Sequence, residues 1–426
     1  MLPPNNRVVV TGLGVVSPNA IGVPAFMSAI QEGKSGIRFR EDMKELGLAC
    51  QIAGEPEWDD KYIQPYVTEA VMKTLKNSGI KYAIAAAMEA WTDAGLPIEK
   101  EKTDWETGCV LGTGTSDLNM LNWSLRLTDI KESKKVGSTF VEQIMFSGPA
   151  AYVSGILGLG NHVISNSSAC STGTESILMA YRKIKNGEAV RMVAGSSDPS
   201  SIFIWAGFDA MRMVLTRKGN ENPQAASRPM SQTASGFVPS GGGAVMILEE
   251  METALKRGAK IYAEITGGAI NCGGQRNGGT MTLPNTSGVM RCFETAMKES
   301  NIKGTDVDLV CGHLTSTMAD KMEIQNWSKA LQRRGKEFPY INSLKSMIGH
   351  TLAASGSIEC VAAVLQMFHN FIHPSINCED LHEEIASVID ENCIPYKNTG
   401  KTLHTVIKAN FGFGDVNSCI VFNKPS

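Results

Sequence analysis

Short apolar runs alternate with helical patterns along the whole chain, and this alternation most constrains how the chain can fold. The apolar run at residues 7–10 is followed by a helical pattern at 21–31, and an Ala-rich helical pattern at 80–94 is followed by the run at 108–112. Strands that alternate with helices indicate a layered α/β protein, because the helices cover the faces of the sheet. A first series of such elements closes near Glu250.

A second series begins at Lys260 and repeats the element order of the first, although no sequence identity between the two is evident. Its elements are strand patterns at 260–270, 307–311, 405–409 and 418–423 and helical patterns at 288–300, 319–332 and 352–369. We infer an internal repeat from this order. No linker or low-complexity segment separates the two series, so we assign an N-terminal half to residues 1–255 and a C-terminal half to residues 256–426.

Composition fits a globular protein and excludes several functional classes. The 426 residues are 42% hydrophobic and 19% charged, and 42 of them are glycine, which indicates close packing between elements. A net charge of -3 without a basic block argues against nucleic acid as a partner. We find neither a signal peptide nor a stretch of roughly 18 uninterrupted apolar residues, so we expect no membrane span and a cytoplasmic location.

One of the ten cysteines has a setting that suits a nucleophile. The cysteines are scattered from Cys50 to Cys419, without the CxxC spacing of a metal site, so most are expected to be small buried residues. Cys170 lies directly before a helical pattern at 175–185. The N-terminal end of a helix favours a thiolate and lowers the thiol pKa, which would let Cys170 attack a thioester. A plain buried role is the alternative on this segment alone.

Two histidines and a lysine lie in loops of the C-terminal half. His313 follows the strand pattern at 307–311, and His350 closes a segment that begins at Lys345 and precedes a helix. Such junctions present catalytic groups at the mouth of a cleft. Two imidazole N–H groups would stabilise an enolate formed by decarboxylation, although each histidine could instead be structural. Lys345 is either a surface residue or a buried one that needs a partner, for which Glu323 is the candidate.

Two glycine-rich segments do not indicate nucleotide binding. Gly12-Leu-Gly14 follows a strand, but Ser17 stands where a dinucleotide fingerprint needs its third glycine. Gly241-Gly-Gly243 has no lysine and hydroxyl residue after it, so it is not a phosphate-binding loop, and we expect close backbone packing there.

Seven segments in order resemble the β-ketoacyl-acyl carrier protein synthases of the elongating type over nearly the whole chain. They are VVVTGLGVVSPNAIG, SSACSTG, NPQAASRP, SGFVPSGGGAVMILEE, HLTST, KSMIGHTLAASG and NFGFGDVN. The resemblance implies a thiolase-like fold, with five layers in the order α/β/α/β/α built from two topologically similar halves. It also implies acyl carrier protein as the partner, a homodimer, and no metal or free organic cofactor.

The resemblance further implies roles for ten residues. Cys170 would take an acyl group from the phosphopantetheine arm of the carrier protein, and His313 and His350 would stabilise the malonyl-derived enolate. Lys345 with Glu323 would organise the site. The other implied assignments are an oxyanion hole from the backbone N–H groups of Cys170 and Phe413, a gate at Phe413, pantetheine contacts at Thr315 and Thr317, and an acyl pocket along Phe208 and Thr115.

The chain also departs from the family pattern. Leu314 stands where a glycine usually follows the first histidine, and the loop from His313 to Asp320 is one residue shorter than usual. The segment Met-Ser-Gln-Thr-Ala-Ser235 replaces familiar charged residues, and Asp415 stands where a glycine is common. The change at Leu314 predicts a narrowed or redirected substrate channel. Together the departures suggest a specialised branch, with polyene or polyketide-type assembly open beside fatty-acid elongation.

Two other functional classes compete with an active condensing enzyme. A catalytically silent subunit of a ketosynthase heterodimer would be expected to lack the nucleophile, whereas Cys170 is present. A thiolase-like enzyme acting on coenzyme A esters would carry a second reactive cysteine in a Cys-x-Gly setting, which Cys419-Ile-Val does not supply. The condensing enzyme is therefore the prediction.

Overall fold

Residues 5–425 are described by the computed structural model, and in this range strands and helices alternate as the sequence predicts. The strands are β1 Val8–Ser17, β2 Ala20–Ile21, β3 Ile37–Phe39, β4 Ile52–Gly54, β5 Thr107–Gly112, β6 Val163–Ile164, β7 Arg191–Asp198, β8 Gly242–Glu250, β9 Ala263–Cys272, β10 Leu309–Cys311, β11 Tyr340–Asn342, β12 Phe371–Ile372, β13 Thr399–Gly400, β14 Thr405–Gly412 and β15 Val416–Asn423.

The helices fall between these strands. They are α1 Val23–Glu32, α2 Glu41–Glu45, α3 Glu69–Thr74, α4 Ser78–Asp93, α5 Leu118–Asp129, α6 Phe140–Ile144, α7 Gly148–Leu157, α8 Thr172–Lys185, α9 Ile202–Ala210, α10 Met251–Lys256, α11 Thr286–Glu299, α12 Ala319–Leu331, α13 Lys345–Ile348, α14 Ser355–His369 and α15 Glu383–Ala386. Short 3-10 helices lie at Asp60–Tyr62, Ser133–Val136, Pro223–Ala225, Gly304–Asp306, Leu352–Ala354 and Glu391–Cys393.

The main sheet is built from two parts with the same topology. The N-terminal part runs β1-β8-β7-β5-β6 and the C-terminal part runs β9-β15-β14-β10-β11. In each part the first two pairings are antiparallel and the last two are parallel. The internal repeat inferred from element order is therefore present in the structure. The two parts join where Val8–Val10 of β1 pair with residues 263–265 of β9.

Helices complete a five-layered arrangement. Helices α8 and α14 contact strands of both parts and form the middle layer. Helices α4 and α7 cover the outer face of the N-terminal part, and α11 and α12 cover the C-terminal part. The expected α/β/α/β/α order is confirmed. The assigned division between residues 255 and 256 falls between the strands of the two parts, and as a domain boundary it stays a prediction.

A long apolar helical stretch lies in the middle layer. The stretch Leu352–His369 has the length and the mean hydropathy, 1.3, of a membrane-spanning helix, but 89% of it is buried inside the protein. Packing between two sheet parts explains an apolar surface on all sides, because a helix buried all round needs no polar face. Each fully buried valine or leucine there stabilises the fold by about 1.5–3 kcal/mol.

Glycines allow two close approaches that shape the molecule. A Cβ on Gly12 or Gly14 of β1 would overlap carbonyl oxygens of α4, so these glycines serve helix-on-strand packing. A Cβ on Gly173 of α8 would overlap the backbone of α14, and one on Gly356 of α14 would overlap the backbone of α8. The two middle-layer helices thus cross near their N-terminal ends. Because Cys170 precedes α8 and His350 precedes α14, this crossing brings the two residues together.

Candidate active site

A cavity of about 440 Å³ opens beside the N-terminal ends of the middle-layer helices. Its wall contains nine of the ten residues for which roles were predicted, namely Cys170, His313, His350, Glu323, Phe413, Thr315, Thr317, Phe208 and Thr115. Lys345 lies behind this wall and is 1% exposed. The structure therefore brings together residues that span positions 115 to 413 of the chain.

Three of these residues form a compact group. The sulfur of Cys170 and ring nitrogens of His313 and His350 all lie within 4.8 Å of one another. The two imidazole rings meet edge to face, with their centroids 5.3 Å apart. A thioester carbonyl bound to the sulfur would therefore lie beside both rings.

The candidate nucleophile Cys170 lies just before α8, as predicted, but its acidity differs from the expectation. Cys170 is partly exposed where it lines the cavity. Burial raises the pKa of the Cys170 thiol to about 12, although Lys345 and the backbone N–H of Phe413, which donates to the sulfur, act in the opposite direction. The lowered thiol pKa expected from the helix terminus is therefore wrong, because desolvation of the thiolate outweighs the stabilising groups.

His313 is held in one tautomer by two donors. The side-chain amide of Asn410 donates to Nδ1 of His313 at 3.1 Å, and Nζ of Lys345 lies 3.4 Å from the same nitrogen. Both groups carry hydrogens towards Nδ1, so the ring proton is on Nε2. Burial, followed by the charge of Lys345, holds the pKa of His313 well below its usual value. The imidazole is therefore neutral at neutral pH and has one N–H to donate.

His350 reaches the same state by different contacts. The backbone N–H of Leu352 donates to Nδ1 of His350 at 3.2 Å, and the hydroxyl of Ser355 lies 2.9 Å from that nitrogen. A backbone amide can only donate, so Nε2 of His350 also carries the ring proton. Burial and the charge of Lys345 likewise keep the pKa of His350 well below its usual value. Both histidines therefore present a neutral imidazole with an Nε2–H donor at the same cavity.

Behind His313 lies a buried cluster of three ionic residues. Lys345 pairs with Oε1 of Glu359, and Lys408 pairs with Oε2 of Glu359 at 2.9 Å. All three side chains are at most 3% exposed. Burial alone would raise the pKa of Glu359, but the two lysines hold it below its usual value. The predicted pair of Lys345 with Glu323 is therefore wrong, since Glu359 takes that place.

Glu323 holds the loop that carries His313. Its two carboxylate oxygens accept from the backbone N–H groups of His313 and Leu314 at 2.7 and 2.8 Å. Burial raises the pKa of Glu323 to about 7. The neighbouring carboxylate of Asp320 accepts from the backbone N–H groups of Thr315 and Ser316 at 2.7 and 3.1 Å. The loop is thus shaped by two buried acids, although Glu323 does not contact Lys345 as a partner.

Leu314 does not have the effect on the cavity that the sequence suggested. Its side chain is fully buried in the core formed by the C-terminal part, beside Ile324 and Trp327, and it is absent from the cavity wall. Its backbone has φ 21, a value that side-chain-bearing residues rarely adopt. The predicted narrowing of the channel by Leu314 is therefore wrong, and the residue instead fills space in the core.

Aromatic and hydroxyl side chains complete the cavity wall. The rings of Phe208 and Phe413 meet edge to face, with centroids 6.0 Å apart. The hydroxyl oxygens of Thr315 and Thr317 lie 2.9 Å apart. The backbone N–H of Thr115 faces the buried carboxylate of Asp198 at 3.4 Å. The wall is therefore apolar near the phenylalanines and carries hydroxyls near the threonines.

Sequence reasoning missed four residues around this site. They are Asp198, Glu359, Lys408 and Asn410. A signal was present for two of them, because Glu359 and Lys408 are charged residues inside apolar runs, where an unpaired charge is strongly unfavourable. Asp198 accepts from Gly114 N–H at 2.9 Å and Ala353 N–H at 2.8 Å and so joins the nucleophile side of the cavity to the His350 loop.

Comparisons with known proteins agree with this geometry. A family model described as the β-ketoacyl synthase N-terminal domain matches residues 5–254, and its C-terminal counterpart matches residues 262–379. The chain is 35% identical to the 3-oxoacyl-[acyl-carrier-protein] synthase 2 of Vibrio harveyi, covering 98% of both chains. It is 32% identical to the synthase 1 of Escherichia coli, covering 98% of this chain and 99% of that one.

A solved structure shares the fold as well. It is a ketosynthase of a type II polyketide synthase, bound to a hexaketide and in complex with its acyl carrier protein. The two structures have a TM-score of 0.87 at 30% sequence identity, over 99% of this chain and 100% of that one. The family and fold class that the sequence motifs indicated are confirmed. The chain belongs to the β-ketoacyl synthase family of condensing acyltransferases.

Proposed function

We propose that Cys170, His313 and His350 carry out a decarboxylative Claisen condensation between an acyl group bound to Cys170 and a malonyl group on acyl carrier protein. The observation that carries this assignment is the convergence of one cysteine sulfur with two neutral imidazoles, each with its proton on Nε2. Such an arrangement offers two donors and no base, which suits an enolate better than a hydrolytic water.

Acyl transfer comes first. The sulfur of Cys170 attacks the thioester carbonyl, a new C–S bond forms, and the thiol of the phosphopantetheine arm leaves with the proton that the Cys170 thiol gives up. The backbone N–H groups of Phe413 and Cys170 would donate hydrogen bonds to the carbonyl oxygen and stabilise the negative charge that develops on it. The N–H of Phe413 already points at the sulfur, which supports this role.

Decarboxylation and condensation follow. The malonyl thioester loses carbon dioxide, and the electron pair of the broken C–C bond moves into an enolate whose oxygen accepts from Nε2–H of His313 and His350. The enolate carbon then attacks the Cys170 thioester, so that a C–C bond forms and the C–S bond breaks. The released sulfur regains a proton from water. These steps use no metal ion and no organic cofactor, as the resemblance implies.

The cavity wall supports the predicted binding roles. Thr315 and Thr317 present hydroxyls that can bind the amides of a pantetheine arm, while Phe208 and Thr115 border the space beside Cys170 where an acyl chain would extend. The apolar wall accepts a long acyl chain in either fatty-acid or polyene and polyketide-type elongation. We assign Lys345 and Glu323 to organising the site rather than to touching the substrate.

We further propose that the chain acts on carrier-bound substrates in the cytoplasm as a homodimer. Two features support the dimer. Strand β6 pairs on one side only, with β5, and its Val163 is 41% exposed. The segment 118–148 also carries large apolar side chains that are at least 42% exposed, namely Leu125, Ile130, Val141, Met145 and Phe146. A heterodimer would use the same surface.

The thiolase-like alternative finds no support in the site. Cys419 is fully buried in β15, and Cys170 is the cysteine that lines the cavity in the part of the chain that the structure describes. The silent-subunit alternative is likewise disfavoured, because the nucleophile and both histidines stand in one complete group.

Intact-protein mass spectrometry and carbon dioxide release test the proposal. We expect Cys170→Ala to take up no acyl group from an acyl-carrier thioester, while the exposed-thiol control Cys272→Ala is acylated like the wild type. We expect His313→Ala and His350→Ala each to lower malonyl-carrier decarboxylation about 100-fold or more. The control His369→Ala, an exposed histidine outside the cavity, should keep the wild-type rate. Uptake by Cys170→Ala, or decarboxylation unaffected in both histidine variants, would overturn the mechanism.

A further inference from the structure

Lys408 is a fully buried lysine that the mechanism above does not use. It lies on β14, is 0% exposed, and pairs with Glu359 at 2.9 Å. Its ammonium also contacts the backbone carbonyl of Ala409 and lies 3.5 Å from that of Gly312, the residue directly before His313. Burial of an ammonium group removes it from water, and the lost hydration costs free energy unless ion pairs or hydrogen bonds compensate for it.

The cluster around Lys408 places two lysines on one glutamate. Glu359 is paired with Lys345 as well as with Lys408, so one anion faces two cations. The other carboxylate that faces Lys408 is Glu323, whose oxygens are occupied by backbone N–H groups and whose pKa burial raises to about 7. The remaining titratable groups that face Lys408 are His313, His350 and the thiols of Cys311, Cys360 and Cys419.

Removing Lys408 would leave a balanced pair of Lys345 and Glu359. The second cation is therefore not required to satisfy the buried glutamate. Lys408 is connected to His313 in two ways. Through Oε2 of Glu359 it shares an acceptor with Asn410, whose amide orients the His313 ring, and through Gly312 it borders the backbone that carries His313.

We propose that Lys408 is a positioning residue for the decarboxylation half-reaction: it orients His313 through Glu359 and Asn410 and adds a second buried positive charge behind the site where the enolate forms. The inference rests on the proposed function. Negative charge near His313 increases when the enolate forms, and a buried cation stabilises that charge more strongly than a hydrated one. Acyl transfer to Cys170 relies on the backbone N–H groups of Cys170 and Phe413, whereas the contacts of Lys408 run to Glu359, Gly312 and Ala409, so acyl transfer gains less from Lys408.

The two half-reactions of Lys408→Met, measured separately, test this role. We expect malonyl decarboxylation to fall about 10-fold or more, while acylation of Cys170 changes less than about threefold. Lys408 also lowers the pKa of His313, and a protonated His313 can no longer accept from Asn410 at Nδ1, so removal of Lys408 should move the acid limb of the decarboxylation rate to higher pH. Lys408→Arg, which keeps the charge, should recover part of the decarboxylation rate.

A matched control exists in the N-terminal part. Glu249 is also fully buried and also pairs with two cations, Arg191 and Arg257. Arg257→Met removes one of them far from the cavity, and it should leave the ratio of the two half-reactions and the pH profile unchanged. If Lys408→Met does not fold, Lys408→Gln replaces it with the same readouts.

Several outcomes separate this inference from the proposed function. Equal losses in both half-reactions, or an acid limb at the wild-type pH, would show a purely structural role for Lys408 and overturn the inference. Undiminished decarboxylation by His313→Ala would instead overturn the proposed function, whatever Lys408→Met does. A selective loss in Lys408→Met together with a strict need for His313 would support both.

Discussion

At the scale of single residues, the proposed nucleophile Cys170 rests as a thiol. Burial at the cavity wall raises the pKa of its thiol to about 12. The two histidines beside it are neutral for the same reason, because burial also disfavours the charged imidazolium. The resting site therefore keeps its charge in the buried lysine and glutamate cluster and presents neutral groups to the substrate.

The pH dependence of Cys170 alkylation should show that the side chain is a protonated thiol at neutral pH. Because only the thiolate reacts, the labelling rate with iodoacetamide is expected to rise about tenfold per pH unit between about pH 7 and about pH 9. Mass spectrometry of peptides containing Cys170 measures this rate, and the exposed Cys272 serves as an internal control. A rate that is already constant above neutral pH would mean that the helix terminus lowers the thiol pKa after all.

Leu314 combines a buried side chain with a backbone conformation that favours glycine. Leu314→Gly relieves the positive φ but empties part of the core, so we expect the free energy of unfolding to fall by about 2–4 kcal/mol. Urea denaturation measures the loss, with the exposed Leu46→Gly as a control. The ratio of turnover between short and long acyl substrates should stay at the wild-type value, since the side chain is outside the cavity wall. A changed ratio of turnover would show that Leu314 does affect the substrate channel.

At the scale of elements, Asp415 joins two segments that both border the cavity. Its carboxylate accepts from the backbone N–H groups of Gln275 and Asn285 at 2.9 and 2.8 Å. The residue has φ 61 and is 1% exposed, and a Cβ on Gly273 would overlap its carboxylate. The turn at 413–415 is thereby tied to the segment 273–285, which supplies Thr282, Leu283 and Pro284 to the cavity wall.

Asp415→Gly should loosen this connection while leaving the backbone conformation accessible. Amide hydrogen exchange in residues 275–285 is expected to become about tenfold faster or more, because the two N–H groups lose their acceptor. The KM for a long acyl substrate should rise more than kcat falls. The matched control is Asp390→Gly, which removes a carboxylate that accepts a backbone N–H away from the cavity. Unchanged amide hydrogen exchange in residues 275–285 would show that Asp415 does not hold this segment in place.

At the scale of the whole molecule, the two repeats share one middle layer. Helix α8 belongs to the N-terminal series and also packs on β9 and β15, while α14 belongs to the C-terminal series and also packs on β1, β7 and β8. Each repeat therefore buries an apolar helix face that only the other repeat covers. The proposed catalytic group depends on the same arrangement, since Cys170 comes from one repeat and both histidines from the other.

Residues 1–255 on their own should therefore fail to form a native structure. The face of α8 that the C-terminal part covers would be exposed to water, and its apolar side chains would favour aggregation. We expect weak near-UV circular dichroism, binding of a hydrophobic dye and no cooperative urea transition, in contrast to the full chain. A cooperative transition of residues 1–255 alone would show instead that the N-terminal half is an independent domain.

Sequence patterns indicated the order of elements and the repeat, and they singled out Cys170, His313 and His350 as candidate site residues, because periodicity, helix ends and short motifs are local properties of the chain. The strand at 8–17 and the helix at 172–185 with its Asn186-Gly187 end follow directly from such local signals. The tertiary structure alone decided that Lys345 pairs with Glu359, that Leu314 fills the core, and that the Cys170 thiol is only weakly acidic. Ion pairing, packing and desolvation depend on groups hundreds of residues apart, so no local pattern in the chain could have shown them.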